Sequence, residues 1–361
     1  MRNTIVHITE SLARGGTETL LVGIISSMPQ YDHIIISLRK ENEFGDQLKG
    51  IKIFYLDLKG YLSIPRLVGK VKKIISSCES RMIVHAHMFW ANIISRLAIP
   101  GHIPLFNSYH SVSYGSKGAN YPFYAILLDR LTYNKRVNTL CVSSAVKENI
   151  KKYVGIRDNV EVLFNYVNDK FYTSKECHYQ PGNVLRLVSV GNLKQQKNHM
   201  LTLEAMSILR VNGHGEKCTL DIFGRGPLLQ SLKDAADKLG LNNVHFKGSA
   251  SDIPERLKQY DAYVLSSSYE GFGIAIAEAM ASELPLIVSD LPVIRDVTNG
   301  HGLFFNPKSP SELVKRIESV LSGEIDLVSL STAAKQRAEL YRKENYLKIL
   351  SSIYDQKFFE K

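Results

Sequence analysis

Two glutamates lie eight residues apart in the stretch SSSYEGFGIAIAEAMAS, residues 266–282, and both demand a chemical reason. Glu278 sits among Ile274, Ala275, Ile276, Ala277, Ala279 and Met280, a run that reads as a buried helix. A carboxylate there costs several kcal/mol unless donors reach it. Glu270 precedes a Gly-Phe-Gly turn into that helix, and the free amides and positive dipole end around Phe272, Gly273 and Ile274 suit an anion. Bare phosphate would repel Glu270, so its carboxylate is better matched to hydroxyls. Glu278 lies about 12 Å further along at ~1.5 Å per residue, past alanines that let a ligand approach. A ligand with hydroxyls at both ends and anions between them fits: sugar, diphosphate, ribose. The competing reading is a structural Glu278 bonded to a neighbouring loop.

Other residues suit the same ligand. NLKQQKNH (192–199) carries Lys194 and Lys197, either of which would neutralise a departing phosphate as a point charge. Arg225-Gly226 adds a cation on a glycine-flexed loop. ARGGTE (13–18) places Gly15 and Gly16 before a helix, where backbone amides can approach an anion; a plain turn is an equal reading. His110 ends a strand and precedes the Gly/Ser/Tyr-rich loop SVSYGSKGANY. The chain has no Asp-x-Asp, and its histidines, cysteines and carboxylates show no metal-type spacing. The expectation is therefore that no metal takes part and that no cofactor is needed beyond the donor.

These residues need elements that hold them at strand ends. Strand candidates are 4–8, 33–38, 51–58, 82–87, 104–110, 139–144 and 160–165, with helical patterns between them at 18–28 and 65–78. Strand, helix, strand at this spacing predicts a parallel sheet covered on both faces. The pattern breaks across 166–183, a polar stretch with Pro181 and Gly182 that reads as a linker. A second series follows, with strands at 185–191, 218–224, 244–248, 262–267 and 285–290 and helices at 198–212, 227–239 and 273–282. The expected class is α/β with two Rossmann-like doubly wound domains, 1–166 and 184–335. A helical segment over 332–359 closes the chain, and its part from 336 to 361 is expected to return to the first domain. Paired domains of this kind bind ligands in a cleft at the carboxyl ends of their strands.

Composition narrows the partners. The chain of 361 residues is 44% hydrophobic, suits two domains, and has no run of about 18 apolar residues. Its beginning, MRNTIVHITESLARGG, lacks the apolar core of a signal peptide, and four dispersed cysteines read as free thiols. The expected location is cytoplasmic, peripheral at the inner face of the membrane. Of the net charge of +10, residues 1–165 carry +9 (21 Lys and Arg against 12 Asp and Glu), and the remainder +1 (24 against 23). That asymmetry predicts a basic surface for an anionic membrane or a phosphorylated acceptor, with Lys117, Arg130, Lys135 and Arg136 as candidates. Nucleic acid is not expected, because no recognised binding motif accompanies the charge.

Taken together, Glu270-GFGIAIA-Glu278, the preceding SSYEGFG, the following EAMASELP, Lys197, Gly15-Gly16 and His110 closely resemble the family 4 retaining glycosyltransferases over essentially the whole chain. The resemblance implies two facing Rossmann-like domains. It implies that Glu270 contacts the donor sugar, Glu278 the ribose and Lys197 the diphosphate, with Gly15-Gly16 beside the phosphates and His110 beside the reacting sugar. It implies front-face transfer with retention from a nucleotide-sugar, by family habit a UDP-sugar, to a glycan or lipid-linked acceptor of bacterial surface polysaccharide synthesis. Three departures stand out: Gly191-Asn192 replaces the usual Gly-Arg, Asn165-Tyr166-Val167-Asn168 replaces Asn-Gly-Val-Asp, and Asp296 replaces a glutamate. Lys194 or Arg225 would have to supply the missing cation. The competing functions are a nucleotide-sugar 2-epimerase of the same build and a catalytically dead binding subunit. A nicotinamide dehydrogenase is disfavoured, because the Gly pair is not GxGxxG.

Overall fold

A computed structural model describes residues 2–112, 114–115, 123–172 and 179–359, and the chain divides into two compact units. The first comprises Met1–Asn165 with Glu344–Lys361, and the second Tyr166–Lys343. Among the described residues no helix is long and apolar enough to cross a membrane.

In the first unit β1 (Thr4–Thr9), β2 (Asp32–Ser37), β3 (Lys52–Tyr55), β4 (Met82–His87), β5 (Leu105–Tyr109), β6 (Asn138–Cys141) and β7 (Val160–Val162) form one parallel sheet in the order β3-β2-β1-β4-β5-β6-β7. Its helices are α1 (Gly16–Ser27), α2 (Ile64–Ser76), α3 (Phe89–Ala98), α4 (Phe123–Thr132) and α5 (Ser144–Tyr153). The central strands are buried along their whole length, as befits a sheet covered on both faces. Ser143 starts α5 by accepting from the Val146 amide.

In the second unit β8 (Leu185–Val190), β9 (Cys218–Phe223), β10 (Val244–Gly248), β11 (Ala262–Leu265), β12 (Leu286–Ser289) and β13 (Leu303–Phe305) form a second parallel sheet, ordered β10-β9-β8-β11-β12-β13. With it come α6 (His199–Val211), α7 (Leu229–Lys238), α8 (Ile253–Leu257), α9 (Ile274–Ala281), α10 (Pro292–Thr298), α11 (Pro310–Leu321) and α12 (Leu327–Ala338). A core of Leu187, Leu203, Met206, Leu220, Ile287 and Ile317 joins α6 and α11 to one sheet face. Ser309 and Glu312 mark the start of α11: Ser309 accepts from the Glu312 amide, and proline occupies the first turn, where its missing N–H costs nothing.

The α/β class with two parallel sheets is thus as the alternation predicts. The single helix expected over 332–359 is instead two. α12 ends at Ala338, Arg342 is extended (ψ 139°), and α13 (Lys343–Phe359) follows. The break is tertiary in origin, since the Val167 amide donates to the Tyr341 carbonyl and pulls it out of helical pairing.

Each sheet reverses its winding at one place, between β1 and β4 in the first and between β8 and β11 in the second. The loops leaving the carboxyl ends of such neighbouring strands diverge, which leaves a crevice for a ligand.

Candidate functional site

The β8 and β11 loops of the second unit meet through a set of polar contacts. Ser266 Oγ donates to the Lys197 and Asn198 carbonyls at 3.0 and 2.9 Å, and the Gln196 amide side chain donates to the Tyr269 carbonyl at 3.0 Å. The Ser268 amide donates to the Gln196 carbonyl at 2.9 Å. Asn198 takes the left-handed conformation (φ 49°) that turns the β8 loop into α6, and its side chain donates to the Pro307 carbonyl.

This stitching brings Lys197 to Glu270. The ammonium donates to Glu270 Oε1 at 2.6 Å, and Ser267 Oγ donates to the same oxygen at 2.7 Å. Both side chains are largely enclosed, 15% and 6% exposed, so each charge relies on the other. Sequence reasoning assigned Lys197 to phosphate and Glu270 to hydroxyls. The structure pairs them with each other.

Gly273 caps α9 in the left-handed conformation (φ 81°, ψ 58°), which glycine adopts without the clash of a Cβ. The turn frees the first amides of α9 at the carboxyl end of β11. Ile274 is half-buried beside them, whereas the Phe272 side chain is buried and packs edge-on against Tyr341 at 5.2 Å between ring centroids. Glu278 is half-buried on α9, and its carboxyl is pushed up to about 8. Burial of the charge is the main cause; the Lys197 ammonium partly offsets it, and no hydrogen-bond donor contributes. The bonded, structural Glu278 considered above is not what the structure shows.

At the loop after β9, Gly224 is the one residue type that fits. A Cβ there would lie 1.9 Å from the Gly191 carbonyl oxygen, and its φ is 152°. This close approach lets the Leu193 amide donate to the Arg225 carbonyl at 2.9 Å, which places Arg225 next to Asn192 in the fold. Lys194 and Arg225 are both exposed there. Ser266, Ser267 and Gln196 escaped sequence reasoning; their only signal was their position in the two motif loops.

The remaining site candidates belong to the first unit. Gly15 precedes α1, and Glu18 of the same first turn folds back over it: a Cβ at Gly15 would lie 2.5 Å from Glu18 Oε2. The protein's own carboxylate thus stands at the amides expected to meet an anion. His110 follows β5, with both ring nitrogens buried and without hydrogen bonds, and burial pushes it down to about 4. Its ring stands 5.7 Å from that of His87. Next to it is a buried network that sequence reasoning missed. Arg96 donates to Asp129 Oδ1 at 2.6 Å, both side chains being 1% exposed, and Tyr109 and Tyr114 donate to the same carboxylate. Among the four basic candidates, Lys117 lies outside the described residues and Arg130 is exposed. Lys135 stands 3.7 Å from Asp158, and Arg136 donates to the Ile99 carbonyl.

The expectation of no metal-type histidine grouping needs correcting. Residues 7, 85 and 87 are far apart in sequence, but parallel pairing sets His7 opposite His85. Ligand atoms of His7, His85 and His87 then lie within 4.8 Å of one another.

Two Rossmann-like units with a charged constellation at the strand-switch point of the second define the GT-B class of glycosyltransferases. Comparison with known proteins gives the family: residues 3–171 match the model for Glycosyltransferase Family 4, and residues 173–337 that for Glycosyl transferases group 1. The chain belongs to glycosyltransferase family 4. It is 24% identical to the putative glycosyltransferase EpsF of Bacillus subtilis, over 83% of this chain and 82% of that one. It is 26% identical to the O-antigen chain mannosyltransferase RfbU of Salmonella typhimurium, over 74% and 79%. Among solved structures, Anabaena HepE in complex with UDP superposes with a TM-score of 0.81 at 17% identity, covering 99% of this chain and 100% of that one.

Proposed function

We propose that this chain is a metal-independent retaining glycosyltransferase that moves a sugar from a UDP-sugar to a hydroxyl of a glycan or lipid-linked acceptor in surface polysaccharide synthesis. The observation that carries this reading is the Lys197–Glu270 pair at the β8–β11 switch point, with Glu278 on the helix that leaves it. A donor with two phosphates would draw Lys197 away from Glu270 and free that carboxylate to accept sugar hydroxyls. One binding event thereby readies both groups. As the bond to the anomeric carbon breaks, charge grows on the departing diphosphate, where Lys197 and the first amides of α9 stabilise it. A neutral His110 orients the donor sugar without serving as an essential base. The similarity to RfbU, an O-antigen chain mannosyltransferase, supports a polysaccharide acceptor, and the likeness to HepE, solved in complex with UDP, supports a uridine nucleotide.

The reading includes docking on the inner face of the membrane. The helix α4 exposes Phe123 (79%), Leu127 (43%) and Leu131 (73%), spaced four residues apart, with Arg130 exposed beside them. An apolar stripe edged by a cation suits the boundary of an anionic leaflet. Transfer itself is tested by incubating the protein with UDP-sugars and lipid-linked acceptors and reading the product anomer by NMR. Retention of the donor configuration is expected. Inversion would overturn the mechanism, and a changed sugar from donor alone would favour the epimerase.

A further inference from the structure

The face of the first sheet covered by α13 carries an unusual row of imidazoles. His33 of β2, His7 of β1, and His85 and His87 of β4 lie side by side, with ring centroids 5.3 Å apart for His7–His33, 5.8 Å for His7–His87 and 4.1 Å for His85–His87. His7, His85 and His87 are all at most 1% exposed. A neutral imidazole has one ring nitrogen that carries a proton and one that offers a lone pair.

The hydrogen bonds fix where one lone pair points. The Met28 carbonyl can only accept, so His33 Nε2, 3.0 Å away, carries a proton. With that one ring proton on Nε2, the neutral His33 presents a lone pair at Nδ1, which accepts from a proton on His7 Nε2 at 3.1 Å. The remaining nitrogen, His7 Nδ1, is then a bare lone pair, and it is buried with no donor near it. Neither nitrogen of His87 has a hydrogen-bond partner either. His85 is held by Tyr354 of α13 and by Ser108 Oγ. Buried polar atoms ordinarily find partners, so these unpartnered nitrogens call for one.

We propose that His7, His85 and His87 form a binding site for a divalent transition metal of the zinc class, separate from the sugar-transfer chemistry. Three neutral nitrogen donors with no carboxylate or thiolate suit zinc, cobalt or nickel, and do not suit magnesium or calcium. His33 plays the outer role such sites require, fixing the tautomer and orientation of a ligating ring through a chain that ends on a backbone carbonyl. Tetrahedral bonds of about 2.0–2.1 Å bring nitrogens to roughly 3.4 Å of each other. The three rings therefore close inward by about an ångström, and His85 gives up one of its two hydroxyl partners. A fourth, non-protein ligand such as hydroxide completes the shell and offsets the buried charge.

The test uses the full chain, stripped with chelator and titrated with cobalt(II) chloride. One equivalent should bind with the visible absorption bands of tetrahedral cobalt, zinc should displace it, and magnesium should not. His87→Gln should abolish the bands, and His33→Ala should weaken binding about 10–100-fold. Circular dichroism confirms folding of each variant. If a variant does not fold, cobalt-dependent elevation of the wild-type melting temperature, absent with magnesium, supports the proposal in its place. No stoichiometric binding, or unchanged binding in folded His87→Gln, would overturn it and assign the pocket to ordered water. Neither outcome depends on a sugar donor, so the transfer reading stands or falls separately.

Discussion

The two units share an architecture and treat buried polar groups in opposite ways. The second unit gathers ionised side chains: Lys197 faces Glu270 at 2.6 Å, and Glu278 stands on the helix that follows. In the first, the polar groups on one sheet face are neutral imidazoles, and its fully enclosed ion pair, Arg96–Asp129, ties α3 to α4. The contrast teaches that enclosure and role can be separated. The pair sealed at 1% exposure has no open side, whereas the pair at 15% and 6% keeps a partly exposed ammonium.

The largest expected effect tests the sealed pair. Asp129→Ala leaves a guanidinium buried without its carboxylate and unties Tyr109 and Tyr114; a stability loss of about 3–5 kcal/mol is expected in urea titrations. A loss below about 1 kcal/mol would erase the distinction between the pairs. Lys197→Ala should do the reverse. It should lower turnover by about 10²–10³ while costing less stability than Asp129→Ala, because the group acts on charge that develops during transfer. Greater damage from Lys194→Ala would move the role of leaving-group cation to that residue.

Much of this contrast was readable in sequence for the second unit and little of it for the first. The motif residues 266–282 are contiguous, so Glu270, Gly273 and Glu278 could be placed at a strand end and on a helix before any coordinates. The first unit assembles its polar groups from distant strands, and nothing in the spacing of residues 7, 33, 85 and 87 announces the register that joins them. The helix α3 misleads for a related reason: Asn92, Ser95 and Arg96 line one helical face that reads as solvent-exposed, yet the fold buries all three. The short strand β13, three residues long, carries too little pattern to stand out. The pairing of Lys197 with Glu270 also lay beyond sequence, since it depends on how two loops are stitched together.

Glu278 sharpens the comparison through pH. Its folded value of about 8 lies above the ordinary 4.5, so the folded protein holds a proton that the unfolded chain releases. This contribution is fully present below about pH 4.5 and is lost as pH rises toward 8. Glu278→Gln should therefore flatten that decline and leave the ligand-free variant more stable at pH 8, on the order of 1 kcal/mol because solvent reaches the side chain. An unchanged slope in thermal melts would show the carboxyl to be ionised. The smallest effects concern the surface of the first unit. Binding to anionic vesicles should weaken steeply between low and physiological salt, each cation contributing about 1 kcal/mol. Leu131→Gln or Arg130→Gln should reduce it, and equal binding to neutral vesicles would point to a soluble acceptor.

The central claim is that Glu278 holds the ribose of a nucleotide donor, and titrating UDP into wild-type protein and Glu278→Gln by calorimetry tests it most directly. At about pH 9, where the Glu278 carboxyl is ionised, loss of a charge-assisted acceptor should weaken UDP by about 1.5–3 kcal/mol, roughly 10- to 150-fold, with the variant folded. A folded variant that binds UDP as tightly as the wild type would contradict the assignment.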